Sequence, residues 1–240
     1  MENKTLLIMA VFLFAVSVPG YAGEQTVLFK EVFTSLDNWT PFFFPKIKKH
    51  SLYAVEKQGD EWCLKAQSSA SASALIHTQM FNVYEYPLLQ WRWKVENVYK
   101  KGDAGKKSGD DYPLRVYVMF RYRPAKAPFF DRLKYASAKL LYGSYPPQST
   151  LNYIWANRQH VRDIITNSYS DRSKMIVLQT GDRKAGVWQA ESVHIIEDYR
   201  RAFRCDPPPE ACIAVMNDAD NTLEQSVSYI DDITVYRKSE

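Results

Sequence analysis

Apolar and polar positions alternate with a period of two through most of the chain. In Leu88–Val95, Leu89, Trp91, Trp93 and Val95 share one face, and Gln90, Arg92 and Lys94 share the other. That is the pleat of a strand with one buried side. Leu114–Arg121 repeats it, with Leu114, Val116, Val118 and Phe120 set against Arg115, Tyr117, Met119 and Arg121. The same reasoning predicts strands over Phe29–Phe33, Glu61–Ala66, Leu75–Phe81, Leu151–Trp155, Met175–Gln179, Val187–Ile195, Ile213–Met216 and Tyr229–Tyr236. The small-residue tract SSASASA reads as a loop inside one domain. Helical spacing appears over Phe130–Tyr142 (Leu133, Ala136, Leu140, Leu141), with Asp131 in its first turn and Gly143 at its exit. A shorter helical turn fits Glu197–Phe203. About ten short strands separated by turns predict an all-β fold with minor helices, an antiparallel β-sandwich.

The ends sharpen this. The opening FKEVFTSLDNW and the closing SYIDDITVYR resemble jelly-roll domains of the lectin and carbohydrate-binding-module kind. Ahead of them, Lys4, the apolar run Leu6–Val18, the break at Pro19-Gly20 and the small residues Gly20 and Ala22 form the pattern of a signal peptide, residues 1–22. The run is shorter than the roughly 20 residues a membrane span needs. Cleavage would leave residues 23–240 as a single β-sandwich domain that is periplasmic or secreted, with no stable membrane insertion.

Charge and cysteines narrow the function classes. The net charge is +4, with acids interspersed among the bases. The richest cluster, Lys100, Lys101, Lys106 and Lys107, is interrupted by Asp103 and followed by Asp110 and Asp111. This is not the dense stripe of a nucleic-acid binder. Export would allow Cys205 and Cys212, which bracket DPPPEA, to form a disulfide, and leaves Cys63 as a buried free thiol. There is no CxxC, and four histidines are too few to suggest a zinc site.

Several polar clusters are candidate chemistry. Asp110 and Asp111 precede Pro113, Arg115 and Tyr117; adjacent carboxylates there suit a hard cation, a guanidinium, or a simple turn. Asp218, Asp220 and Asn221 in MNDADNT offer closely spaced oxygens. Calcium is the cofactor they would admit; none is otherwise expected. The segment lacks the ladder, central Gly and terminal Glu of an EF-hand, and an Asx-rich turn is the alternative. Asp198 opens a charged helical segment. Tyr153 and Trp155 either stack on sugars or fill the core. Arg92, Arg115 and Tyr117 lie opposite the apolar faces of two strands joined by one loop, which predicts a single polar sheet face with acids at its rim. Its free arginines would suit an anionic polysaccharide.

The succession W-x-W-x-V, KKSGDDYPLRVYVMF, LNYIWAN, VWQAESVHIIEDYRRAF, MNDADNT and SYIDDI resembles a bacterial family, domain of unknown function 3047, over about residues 29–236. Asn217-Asp218-Ala219-Asp220 stands where the family pattern reads Asp-x-Asp-Asn, and both acid positions are kept. The resemblance implies export and a single domain, and it carries no activity. Three functions stay open on the residues: an exported protein binding a glycan on a polar sheet face, a glycan-active hydrolase or lyase with paired aspartates, or an envelope protein that binds another protein. The laminarinase-type E-x-D-x-x-E strand, the G-x-S-x-G elbow and the phosphate-binding glycine loop are all missing.

Overall fold

The computed structural model describes residues 25–126, 135, 145–159 and 163–239. The expected signal peptide and the helix expected over residues 130–142 lie outside these, apart from Tyr135. The described residues form two packed sheets. One has six strands in the order β12 (Gln189–His194), β7 (Leu88–Val95), β14 (Gln225–Lys238), β4 (Glu61–Ser69) and β3 (Leu52–Gln58), with β1 (Gln25–Glu31) also on β14. The other has eight: β10 (Ile164–Asn167), β11 (Ser170–Thr180), β9 (Ser149–Ala156), β8 (Arg115–Phe120), β13 (Glu210–Asp218), β5 (Ala72–His77) and β2 (Trp39–Phe42), with β6 (Phe81–Asn82) also on β13. One helix, α1 (Ile195–Phe203), follows β12. No helix among the described residues is long and apolar enough to cross a membrane.

The alternating pattern explains the core. Leu89, Trp91, Trp93 and Val95 face inward from one sheet, and Val116, Val118, Phe120, Leu151, Tyr153 and Trp155 face them from the other. Ring pairs bridge the layers: Trp91 lies 5.4 Å from Tyr153 and Trp93 lies 5.8 Å from Trp155, centroid to centroid. Such pairs add about 0.5–1.5 kcal/mol each beyond area burial. Tyr153 and Trp155 are therefore core residues, not a sugar platform.

Four expectations need correction. First, β7 and β8 belong to different sheets, so Arg92 and Arg115 point from opposite outer faces of the sandwich. The 19-residue connection that joins them crosses between layers; it does not turn back along one sheet. Second, β9 and β11 pair in parallel, so the eight-stranded sheet is mixed. Third, SSASASA is not a loop. Its residues form the end of β4, a turn in which Ala70 takes φ 49°, and the start of β5. Ser68, Ser71 and Ser73 are buried there, and Ser68 bonds Tyr99 and Ser226 at 2.8 and 3.2 Å. Fourth, Cys205 and Cys212 are both free thiols, as is Cys63. Cys212 is fixed within β13 and buried, whereas Cys205 is exposed just past α1.

Candidate functional site

A cleft of about 380 Å³ opens on the outer face of the eight-stranded sheet. Its floor is Arg115 and Tyr117 of β8 with Met216 and Asp218 of β13. One wall is Phe44 and Ile47, from the segment after β2. The other is Asn167, Tyr169 and Ser173 of the β10–β11 hairpin, and Asp110, Asp220 and Asn221 close the end.

The polar end is organised by one ion pair and one hydrogen-bonded staple. Arg115, buried to 3% exposure, donates from Nε to Asp218 Oδ1 at 2.8 Å and from Nη2 to Asp218 Oδ2. The same Nη2 donates to the Asp110 carbonyl at 2.6 Å, and the guanidinium lies 4.3 Å from the centroid of the Tyr112 ring. Arg115 is held firmly protonated, its acidic neighbours overcoming the burial that opposes its charge. Burial pushes the Asp218 carboxyl up to about 8, with Arg115 pulling the other way. All three of its hydrogen-bond partners, including Tyr112 N at 3.2 Å, are donors, so the bonding is built for a carboxylate. Burial also pushes Asp110 and Asp220 up.

The second contact is a staple. Asp111, fully buried, accepts from Asn221 N at 3.0 Å, from Asn221 Nδ2 at 2.9 Å and from Thr222 N at 2.5 Å. It thereby ties the interlayer connection to the β13–β14 turn. That connection is closely packed: a Cβ on Gly109 would stand 2.6 Å from Asp103 N, and one on Gly102 2.1 Å from Asn157 Nδ2. Asn157 Nδ2 in turn donates to the Asp111 carbonyl at 2.6 Å. The loop is thus a fixed support that presents Asp110 to the cleft.

Oxygens of Asp111, Asp218 and Asp220 lie within 4.8 Å of one another, close enough to converge on one cation. The donor set does not fit calcium well. Asp111 and Asp218 already use both oxygens on protein donors, and the Arg115 guanidinium bonds both of those on Asp218. The same bonding makes Asp111 and Asp218 unsuited to serve as an acid–base pair of carboxyls across the cleft. The Asp220 carboxyl bonds its own backbone amide, and Asp110 Oδ1 lies 3.6 Å from Arg115 Nη1 without a hydrogen bond.

The other predicted residues lie elsewhere. Arg92 is on the outer face of the six-stranded sheet, bound to Asp231 at 2.5 Å and Glu61 at 2.6 Å, with Trp188 5.0 Å from it. Asp198, on α1, accepts from the buried Tyr153 hydroxyl at 2.9 Å and pairs with Arg201 at 3.1 Å; it anchors the helix to the core. Burial pushes the Asp198 carboxyl up. A raised carboxyl favours folding at low pH and loses that advantage as pH climbs past the ordinary aspartate value of about 3.9. In thermal melts, Asp198→Asn, which still accepts from Tyr153, is expected to gain stability relative to wild type as pH rises from that value.

Sequence reasoning missed Phe44, Ile47, Asn167, Tyr169, Ser173 and Met216. The hairpin had a sign: Asn167 folds back so that its Oδ1 accepts from Tyr169 N at 2.9 Å, the Asx turn that Asn-Ser-Tyr permits. What brings that hairpin to the cleft is the non-local parallel pairing with β9.

The whole is a β-sandwich with an acid-rich cleft on one outer face. The chain belongs to the family described as protein of unknown function (DUF3047), whose model matches residues 37–234. No curated protein matches it. Solved structures with a similar outline include a family 11 carbohydrate-binding module of a Clostridium thermocellum cellulosomal cellulase, at 9% identity, TM-score 0.45, covering 89% of this chain and 95% of that one. Endoglucanase 3 of Trichoderma harzianum, from family GH12, matches at 7% identity, TM-score 0.42, covering 91% and 99%. A Bauhinia forficata lectin in complex with GalNAc matches at 9%, TM-score 0.42, covering 90% and 100%.

Proposed function

We propose that this protein binds a neutral glycan in the cleft on the outer face of its eight-stranded sheet, and that it does so after export from the cell. The observation that carries this reading is the lining. Apolar side chains (Phe44, Ile47, Tyr117, Met216) face hydrogen-bonding groups on Asp110, Asn167, Asp220 and Asn221 across one cleft. A sugar presents the same mixture, an apolar C–H face ringed by hydroxyls. Asp110 Oδ1 is buried, faces Arg115 Nη1 at 3.6 Å without a hydrogen bond, and could accept one from a ligand hydroxyl. Tyr169, 59% exposed at the rim, offers a ring face for stacking.

Charge decides the class of glycan. The free arginines expected on this face do not exist: Arg115 is engaged by Asp218 and Asp110, and Arg92 lies on the other sheet. One guanidinium against three carboxyls disfavours an anionic chain. Asp220→Ala, which removes only the carboxyl's hydrogen bond to its own backbone amide, is expected to leave the melting temperature nearly unchanged. It should weaken neutral-oligosaccharide binding about tenfold, roughly 1.4 kcal/mol, in titration calorimetry. Unchanged affinity in that variant would count against the site.

A further inference from the structure

Behind Tyr117, next to the cleft but not among the residues that line it, lies a polar side chain that folding leaves unsatisfied. Asn152 of β9 is fully buried, and neither its Oδ1 nor its Nδ2 has a hydrogen-bond partner. It stands directly across from Tyr117 on one side and Met175 on the other, so it shares their outward face of the sheet. Both neighbours lead to the cleft. Tyr117 lines it, and Met175 Sδ accepts from Asn167 Nδ2, another lining residue, at 3.7 Å. The Tyr117 hydroxyl donates to Met216 Sδ at 3.7 Å and lies beside the Arg115 guanidinium. Asn152 therefore lies beside the cleft without a protein partner, next to a Tyr117 hydroxyl held between Met216 and Arg115.

An amide in this position is costly. A buried polar group without a partner destabilises a fold, and an apolar residue of similar shape would serve packing better. The rest of this face shows what satisfied polar groups look like here: Thr150, next but one along β9, donates to Ser173 Oγ at 2.8 Å. Asn152 has no such arrangement.

We infer that Asn152 is the specificity residue of the cleft. Its Oδ1 accepts from one hydroxyl and its Nδ2 donates to the adjacent hydroxyl of a neutral sugar residue inserted beside Tyr117, whose own hydroxyl turns from Met216 to the same ring. This rests on the reading of the cleft as a glycan site and adds which feature is read: a vicinal diol. An amide is suited to that task because it pairs a donor with an acceptor at the spacing of neighbouring hydroxyls, and it carries no charge to conflict with the acid-rich end.

The test is Asn152→Leu beside Asp220→Ala, each measured by thermal melting and by calorimetric titration with cellotetraose, maltotetraose and mannotetraose, with tetragalacturonate as the anionic counterpart. The expected result is a melting temperature equal to or above wild type for Asn152→Leu, together with a loss of at least about tenfold in affinity for whichever neutral tetrasaccharide wild type binds. Wild-type affinity in Asn152→Leu, with Asp220→Ala impaired, would overturn the role of Asn152 and leave the cleft standing. A clear fall in the melting temperature of Asn152→Leu would show that its amide is satisfied within the fold, and would overturn it too. Binding of none of the neutral sugars by wild type, or preference for tetragalacturonate, would overturn the underlying reading as well.

Discussion

Replacing Arg115 by methionine is expected to lower the unfolding free energy by about 3–5 kcal/mol, the cost of leaving a buried ion-pair partner without its counter-charge. The magnitude follows from what loses its partner. Asp218 is 1% exposed and loses two of its three donors, while the Asp110 carbonyl loses the Nη2 that bonds it at 2.6 Å. Burial then acts on Asp218 unopposed and drives its carboxyl further up. Because the raised group binds a proton in the folded state that the unfolded chain has released, the variant's stability falls as pH rises above about 3.9. For a chain of this size each kcal/mol shifts the melting temperature by roughly 2–4 °C. Adding Asp218→Asn should recover part of the loss, because the stranded charge disappears. Equal melting temperatures for wild type and Arg115→Met at pH 7 would contradict the buried pairing.

Asp111→Ala is expected to cost a similar amount, about 3 kcal/mol or more, since hydrogen bonds to a charged group contribute roughly 1.5–3 kcal/mol each. Its carboxyl gathers Asn221 N, Asn221 Nδ2 and Thr222 N. The loss should be local in its first effect. The β13–β14 turn carries Asp220 and Asn221, so hydrogen exchange should accelerate at residues 219–224 before it does so in the strands. Asp220→Ala, immediately before the same staple, is the control: it should leave the protection of Asn221 and Thr222 intact. Two aspartates that the fold brings together thus differ sharply in consequence, one holding the turn and the other facing the cleft.

The strands were legible because their chemistry is local. The Trp91–Trp93 alternation requires a buried face whatever sheet it joins, and Leu88–Val95 has the bounds the pattern predicts. Arg115 and the acidic pair Asp218 and Asp220 were legible as polar groups on strand ends. Which sheet each strand joins was not legible. The pattern in β7 and β8 is the same whether they are neighbours or lie in opposite layers, so Arg92 was placed beside Arg115 when the sandwich puts it on the far side. Leu52–Gln58 carries a weaker alternation on an outer strand, and Trp39–Phe42 contains Pro41, which argues against a strand in general and is admitted here at a sheet edge. Asn152 shows the remaining gap. In LNYIWAN it sits beside core aromatics, and only the pairing with Tyr117 and Met175 reveals a buried amide without partners.

The most direct test of the glycan-binding cleft is an amide chemical-shift map of the wild-type chain titrated with neutral tetrasaccharides. The account predicts saturable shifts confined to residues around Asp110, Tyr117, Asn152, Tyr169 and Asn221, with none on the outer face of the other sheet near Arg92 and Trp188. Shifts centred on Arg92 and Trp188, or no saturable shift with any neutral tetrasaccharide, would contradict it.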